Sequence, residues 1–288
     1  TIGAIGEFAF YGCSKLAKLH IPKSVTSISI YTNNYYSIES CFKGCNSLKE
    51  ISVEEGNPVF DSRDNCNAII NTARNSIILC HASSVTIPKS VKSIGAGAFT
   101  NNSILQKLTI PSSVTYIGSD AFYGCYGLSE LIIEDSPNVL EISGCAVQKY
   151  SALGMFGGSP IKKLYIGRPM THDWRGGFST DYPGFLFSSQ LRHIEIGPFV
   201  YDLGPSSDKF FQEGSNILQI DCFNSTPPSG FSCSGVYSSA ILRVPKGSIK
   251  AYKSHRIWRQ FTTIEDVLEP DNTQPLMAFD KFEYNNED

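Results

Sequence analysis

The sequence predicts a repeat solenoid that is mainly β, in which short parallel strands stack into one curved sheet, with little helix and a small C-terminal helical cap. Two observations predict this class. A phenylalanine recurs at a fixed distance before a set of aliphatic residues, and Phe99 and Phe122 mark one unit of 23 residues. The aliphatic residues alternate with polar ones, which is the period of a strand with one buried face.

The aliphatic positions form two columns when nine copies of the unit are aligned. The first column contains Leu19, Ile51, Val85, Leu108, Leu131, Leu164, Ile194, Ile220 and Leu242. The second column contains Ile21, Val53, Ile87, Ile110, Ile133, Ile166, Ile196, Cys222 and Val244. Strands this short are not stable alone, so we expect nine stacked rungs that bury both columns in one continuous core.

The repeat unit is typical of a leucine-rich repeat, because it combines this period with the pattern Leu-x-x-Leu-x-Ile. The longer motif Ala-Phe-x-Gly-Cys-x-x-Leu-x-x-Leu-x-Ile-Pro-x-Ser-Val-x-x-Ile-Gly resembles the BspA-like leucine-rich repeat family of bacterial surface proteins. Residues 57–88 and 242–258 also resemble that family, so the resemblance covers residues 1–268. It implies a leucine-rich repeat solenoid that binds partners at the bacterial cell surface, for example host matrix proteins.

The repeats divide the chain into three parts. The expected parts are a solenoid over 1–247 with insertions at 54–84 and 168–186, a C-terminal cap over 248–268, and a tail over 269–288. The cap is expected because Ser248 begins a segment of helical composition that leads to Trp258 and Phe261. Since the chain begins within a repeat at Thr1, we expect it to be part of a longer protein.

Composition excludes several functions. The net charge is −3 and the pI is about 6.0, so the chain has no basic patch for nucleic acid. Its apolar residues are too interrupted for a membrane span. We expect a monomer that is extracellular or at the bacterial cell surface, the location that the resemblance implies.

The nine cysteines have irregular spacing, which does not indicate a disulfide framework. Cys13, Cys45 and Cys125 share one position in the repeat, and we interpret them and Cys41 as small buried thiols. Cys66 and Cys80 flank the first insertion, and either pair or remain free.

The sequence contains no catalytic motif and indicates no cofactor and no metal site. Cys80 and His81 could be taken for a nucleophile and its base, but adjacent residues of a strand point to opposite faces. A hydrolase would require His172, Asp173 and Ser179 to meet where the second insertion joins the rungs. We therefore predict that the protein is not an enzyme.

Candidate binding residues lie in two places. The outward strand positions include His20, Tyr165, His193, Glu195, Asp221 and Arg243. They form either an ordinary solvated sheet face or the extended concave surface on which solenoids bind partners. The second insertion contains His172, Trp174, Phe178 and Tyr182, which either pack on the solenoid or form a binding patch.

The predicted function is a non-enzymatic recognition module of the cell surface or of a secreted protein. Its expected partner is an extracellular protein or glycan, bound through the concave sheet face or the 168–186 insertion. The alternative is a structural spacer or display scaffold of a larger surface protein.

Overall fold

The computed structural model describes residues 2–29, 31–34, 37–143, 155–156, 158–173, 190–203, 216–231 and 235–268. Most elements are short strands. In chain order they are β1 (Ala4–Ile5), β2 (Lys18–Ile21), β3 (Ser27–Ile28), β4 (Tyr31–Asn34), β5 (Ser37–Ser40), β6 (Glu50–Val53), β7 (Phe60–Asp61), β8 (Ile69–Asn71), β9 (Ser76–Leu79), β10 (Ser93–Ile94), β11 (Lys107–Ile110), β12 (Tyr116–Ile117), β13 (Glu130–Ile133), β14 (Leu140–Ser143), β15 (Lys163–Ile166), β16 (Met170–Asp173), β17 (His193–Ile196), β18 (Gln219–Cys222), β19 (Ile241–Pro245) and β20 (Thr263–Leu268). The helix α1 covers Ile249–Ser254, and single 3₁₀ turns cover Arg63–Asn65 and Trp258–Gln260.

Seven parallel strands form one long ladder, here called the front sheet, in the order β11-β13-β15-β17-β18-β19-β20. Its register places Leu108 opposite Leu131 and Leu131 opposite Leu164, and the alignment continues to Leu242. Strands β2 and β6 pair in the same way. The columns are buried along these strands apart from the half-buried Val53, so the predicted stacking of aliphatic residues is confirmed here.

The third of the nine predicted rungs is not a strand. Residues 84–88 have no strand pairing, although Ile87 is buried. The backbone N–H groups of Ile51 and Val53 in β6 donate instead to Asn67 Oδ1 (3.3 Å) and Ser62 Oγ (2.9 Å). Side chains of the first insertion thus replace the next strand, and β11 becomes an edge of the front sheet.

A second ladder, here called the back sheet, has the order β16-β14-β12-β10-β9-β8-β7. The sequence predicts one sheet, and this second one is a correction. Its repeat strands β10 (Ser-Ile) and β12 (Tyr-Ile) contain two residues each, which is too short to show a period in the sequence. The two strands nevertheless lie side by side in parallel. Strand β16 pairs with β14, so the beginning of the 168–186 insertion is regular structure.

The interior contains a stack of phenylalanine rings at the corners of the repeats. The Phe122 ring centroid lies 5.0 Å from that of Phe99 and 4.8 Å from that of Phe156. Phe10 and Phe42 stack at 5.0 Å in the first repeats. Each ring packs on the ring of its neighbouring repeat, which explains the fixed spacing of these residues.

Among the described residues, the buried apolar side chains form two separate clusters, and the hairpin β8–β9 lies between them. Ile69 and Leu79 belong to the smaller N-terminal cluster, whereas Ile70 and Ile77 belong to the larger one. Neighbouring residues of a strand point to opposite faces, so one hairpin serves both clusters. The predicted single continuous core is therefore divided at this insertion.

The cysteine position of the repeat has a structural role. Cys45 Sγ donates to the Phe10 carbonyl (3.0 Å) and Cys125 Sγ to the Phe99 carbonyl (3.2 Å), so each thiol bonds to the preceding repeat. Burial raises the pKa of Cys45 to about 11. Cys13 differs from the expectation because its side chain is exposed.

The remaining cysteine alternatives are also resolved. Cys66 and Cys80 are free thiols, and Cys41 is buried. Burial raises the pKa of both Cys41 and Cys80 to about 12, so these groups are neutral thiols at physiological pH.

The C-terminal segment covers the end of the larger cluster. Tyr252 and Trp258 are fully buried. Their polar atoms donate to backbone carbonyls of Asn224 (2.6 Å) and Pro228 (2.7 Å). Strand β20 then pairs in parallel with β19, so the front sheet continues beyond α1.

Candidate functional site

The outward file is the row of side chains that lies between the two aliphatic columns of the front sheet and of β2 and β6. The strand register brings four predicted site residues together in it: Tyr165 is opposite Glu195, Glu195 opposite Asp221, and Asp221 opposite Arg243. His193 lies two residues before Glu195 on β17.

The N-terminal part of the outward file is solvated. The His20 side chain is exposed, with Nδ1 3.0 Å from Ser52 Oγ. An ion pair between Lys18 and Glu50 (2.6 Å) lies beside it on the same two strands. Exposed pairs of this kind add little stability, so these side chains are available for contacts with a partner.

On β15, β17 and β18 the outward file is buried, as is His193 beside it, which contradicts the interpretation of this part as a solvated face. Tyr165, His193, Glu195 and Asp221 have exposed fractions of 2%, 5%, 2% and 1%. The alternation of side chains along a strand predicts that these side chains point away from the aliphatic core, but it does not predict which other residues cover them. In this structure they do not form an accessible docking surface.

These buried groups form a polar cluster of His193, Glu195, Gln219, Asp221 and Arg243. Asp221 Oδ2 lies 3.1 Å from His193 Nε2 and 3.5 Å from Arg243 Nη1. Gln219 Nε2 donates to both oxygens of Asp221 at 3.0 Å. The sequence analysis did not single out Gln219. The signal that could have found it is its position two residues before Asp221 on the same strand, which places both side chains on one face.

Glu195 is the least compensated member of the cluster. Its Oε1 lies 3.9 Å from His193 Nδ1, beyond hydrogen-bond distance, and its Oε2 has no hydrogen-bond partner. Burial raises the pKa of Glu195, and the charge of Asp221 raises it further. The neighbouring charges of His193, Lys163 and Arg243 oppose that increase.

Tyr165 belongs to a separate contact at the edge of this cluster. Its hydroxyl donates to Asp135 Oδ1 at 2.7 Å. This bond fixes the ring against the turn that follows β13. Tyr165 therefore has a structural partner in this chain.

An open groove lies where the front ladder is interrupted. Two cavities of about 620 Å³ and 700 Å³ share Ser83 and Gln106, so they are neighbours along residues 83–89. Polar lining side chains include Asn46, Lys49, Thr86, Gln106, Lys107 and Thr109. Sequence reasoning missed this groove, because it exists only where residues 84–88 fail to form a strand.

The other predicted residues are not brought into the outward file. His172 lies on β16 in the back sheet, where its backbone is opposite Ile142. Trp174, Phe178, Tyr182 and Ser179 lie outside the described residues. The described residues therefore provide no geometry that supports a hydrolase site formed by His172, Asp173 and Ser179.

The properties of Cys80 and His81 are the opposite of those that a catalytic nucleophile and its base require. The thiol donates to the Asn67 carbonyl at 3.5 Å. Burial lowers the pKa of His81 to about 4, and neither ring nitrogen has a hydrogen-bond partner. A neutral thiol and an isolated neutral imidazole do not form an activated pair.

Arg168 is a further residue that the sequence did not single out. Its guanidinium is fully buried and donates to the carbonyls of Val114 (2.6 Å), Pro111 (3.0 Å) and Ser112 (3.1 Å). Burial lowers its pKa to about 10. Arg168 thus fixes the turn between β11 and β12, at the end of the groove where Pro111 lies.

The stacked parallel strands, the phenylalanine corners and the repeated thiols together define a leucine-rich repeat solenoid. Residues 1–68 and 71–156 match the BspA type leucine rich repeat region in six copies, and the chain belongs to this family. No curated protein matches the chain. Within the part of the chain that the structure describes, no helix has the length and apolar character needed to cross a membrane.

The solved structure of a bacterial protein shares the fold. The chain is similar to the pneumococcal vaccine antigen PcpA, with 20% identity and a TM-score of 0.50 over 89% of this chain and 56% of that one. It is also similar to a leucine rich cell surface protein from Faecalibacterium prausnitzii, with 22% identity and a TM-score of 0.47 over 83% of this chain and 54% of that one. The chain thus spans little more than half the length of these structures, and the likeness to PcpA at this identity shows the fold alone.

Proposed function

We propose that this chain is a non-enzymatic recognition module of a bacterial cell-surface or secreted protein, and that it binds an extracellular protein or glycan. The groove and the solvated part of the outward file form the proposed binding surface. The single observation that carries this proposal is the groove beside β11, where an open cavity adjoins a rigid sheet edge.

The chemistry of the groove suits a polar partner. Thr86, Gln106 and Lys107 are exposed and offer hydroxyl, amide and ammonium groups for hydrogen bonds. The sheet fixes the positions of Gln106 and Lys107, so binding requires little ordering of the protein. A glycan or an extended peptide is recognised by groups of this kind.

Family membership supports the class of function and the location. The resemblance of the sequence to the BspA-like family of bacterial surface proteins is the basis for this class and location. The neutral Cys80 thiol and the unpartnered His81 ring argue against catalysis by this pair. We also propose that the module acts as a monomer, which sedimentation of the purified chain measures directly.

The test is an array of extracellular matrix proteins, glycans and bacterial surface components probed with the intact chain. We expect at least one ligand whose affinity falls about tenfold or more in the variants Gln106→Ala and Lys107→Ala. The matched control is Lys92→Ala, which removes an exposed lysine on the side of the back sheet. Absence of any ligand, or equal loss in the control, would contradict the proposal and favour the spacer function.

A further inference from the structure

Two carboxylates lie buried side by side in the polar cluster, on β17 and β18. Glu195 and Asp221 are neighbours in register, and their side chains are each 2% exposed. Transferring a carboxylate from water into a protein interior is strongly unfavourable unless other groups compensate its charge. The two carboxylates therefore require partners that neutralise them.

Asp221 has several close partners, whereas the only close partner of Glu195 among the described residues is the His193 ring, with Nδ1 3.9 Å from Oε1. Asp221 accepts two hydrogen bonds from Gln219 and lies 3.1 Å from His193 and 3.5 Å from Arg243. Glu195 Oε2 is buried with no hydrogen-bond partner. Buried polar atoms without a hydrogen-bond partner are rare in native proteins, and a bound ion is one of the arrangements that accounts for such an atom.

The ligand atoms of three residues in this cluster lie close enough together to suit a metal ion. One ligand atom from each of His193, Glu195 and Asp221 lies within 4.8 Å of the other two. Atoms bound to zinc at about 2.1 Å in a tetrahedron lie about 3.4 Å apart, so side-chain shifts of about 1 Å would close the site.

We propose that His193, Glu195 and Asp221 bind one divalent transition-metal ion, with zinc as the preferred ion. An imidazole with two carboxylates is a zinc-type ligand set, whereas calcium and magnesium prefer oxygen ligands alone. Two carboxylates neutralise the charge of the ion, and Gln219 orients Asp221 as an outer hydrogen-bond donor.

Two positive groups oppose the ion. Arg243 contacts Asp221, and its side chain is 25% exposed. Lys163 is also only partly buried, on the strand next to His193. Solvent screens both charges more than it screens the buried carboxylates, so they reduce the affinity for the ion without excluding it.

The experiment measures zinc binding by the intact, chelator-treated chain in competition with a chromogenic chelator, with thermal unfolding followed in parallel. We expect one equivalent of zinc, retained in excess magnesium, and a higher Tm with zinc than without it. Glu195→Gln should weaken binding about 100-fold or more. This variant removes a buried charge and keeps the shape, so its metal-free Tm should not fall.

His193→Gln is the second variant, and it should lose binding as Glu195→Gln does. The matched control is His20→Gln, which removes an exposed imidazole from the same outward file and should bind zinc like the wild type. Failure to bind zinc, displacement by magnesium, or unchanged affinity in Glu195→Gln and His193→Gln would overturn the proposal. A zinc-independent rise in Tm of Glu195→Gln, with no binding by the wild type, would identify a proton-sharing cluster instead and also overturn it.

Discussion

His81 shows how burial alone sets the chemistry of a single residue. Its side chain has no exposed surface, and neither ring nitrogen has a hydrogen-bond partner. The imidazole is therefore held in the neutral form, with its pKa lowered to about 4. In the unfolded chain the same group has a pKa of about 6.5.

This difference predicts a pH dependence of stability. As the pH falls below about 6.5 the unfolded state binds the proton first, so the free energy of unfolding decreases until about pH 4. Between pH 7.5 and 5 the wild type should lose about 2 kcal/mol relative to His81→Leu. Urea unfolding across this range measures the effect.

The control is His20→Gln, because the His20 ring is in solvent in both the folded and the unfolded states. Its unfolding free energy should follow that of the wild type. If the unfolding free energies of the wild type and His81→Leu change by the same amount between pH 7.5 and 5, the isolated buried imidazole is not the cause of the acid sensitivity.

At the scale of one strand, β13 tests the alternation on which the fold depends. Leu131 has no exposed surface and is opposite Leu108 and Leu164. Glu130 is partly exposed and forms an ion pair with Lys107 at 3.3 Å. One position faces the larger apolar cluster and its neighbour faces away from it.

We expect Leu131→Asp to destabilise the protein by about 4 kcal/mol or more, since it buries an unpaired charge between two strands. Glu130→Ala should cost less than about 1 kcal/mol, because it removes only a solvated ion pair. Chemical denaturation of both variants gives the comparison. Similar losses at the two positions would show that the assigned faces of β13 are wrong.

The strands also show which features of this fold can be predicted from the sequence. Leu108, Leu131 and Leu164 lie in columns because side chains alternate along a strand, which a sequence displays directly. Ser93 and Ile94 form a strand of two residues, and no period exists over two residues. The burial of Glu195 and Asp221 requires other parts of the molecule, and Arg168 contacts residues more than fifty positions away in the chain.

At the scale of the whole molecule, two apolar clusters share one inserted hairpin. Ile51 belongs to the smaller cluster, and Leu131 belongs to the larger one. Repeat proteins are stabilised by contacts between neighbouring units, so a break in the interior separates regions of different stability.

We therefore expect Ile51→Asp to remove amide hydrogen-exchange protection from β2 and β6 while β13 and β15 keep theirs. The reason is that the new buried charge lies only in the smaller cluster, and the hairpin β8–β9 still covers the larger one. Ser52→Asp, at the neighbouring outward position, should leave protection in both regions unchanged. A simultaneous loss of protection along the entire front sheet in Ile51→Asp would mean that the two clusters unfold as one unit.

The buried thiols that bond to the preceding repeat can be used to detect where the folded chain opens. Cys45 lies in the smaller N-terminal cluster and Cys125 lies in the larger one, and both side chains are buried in the folded chain. An alkylating reagent can modify each sulfur only after the repeat around it has separated from its neighbour. The order in which these cysteines are labelled would thus record, without any introduced probe, the sequence in which the solenoid comes apart.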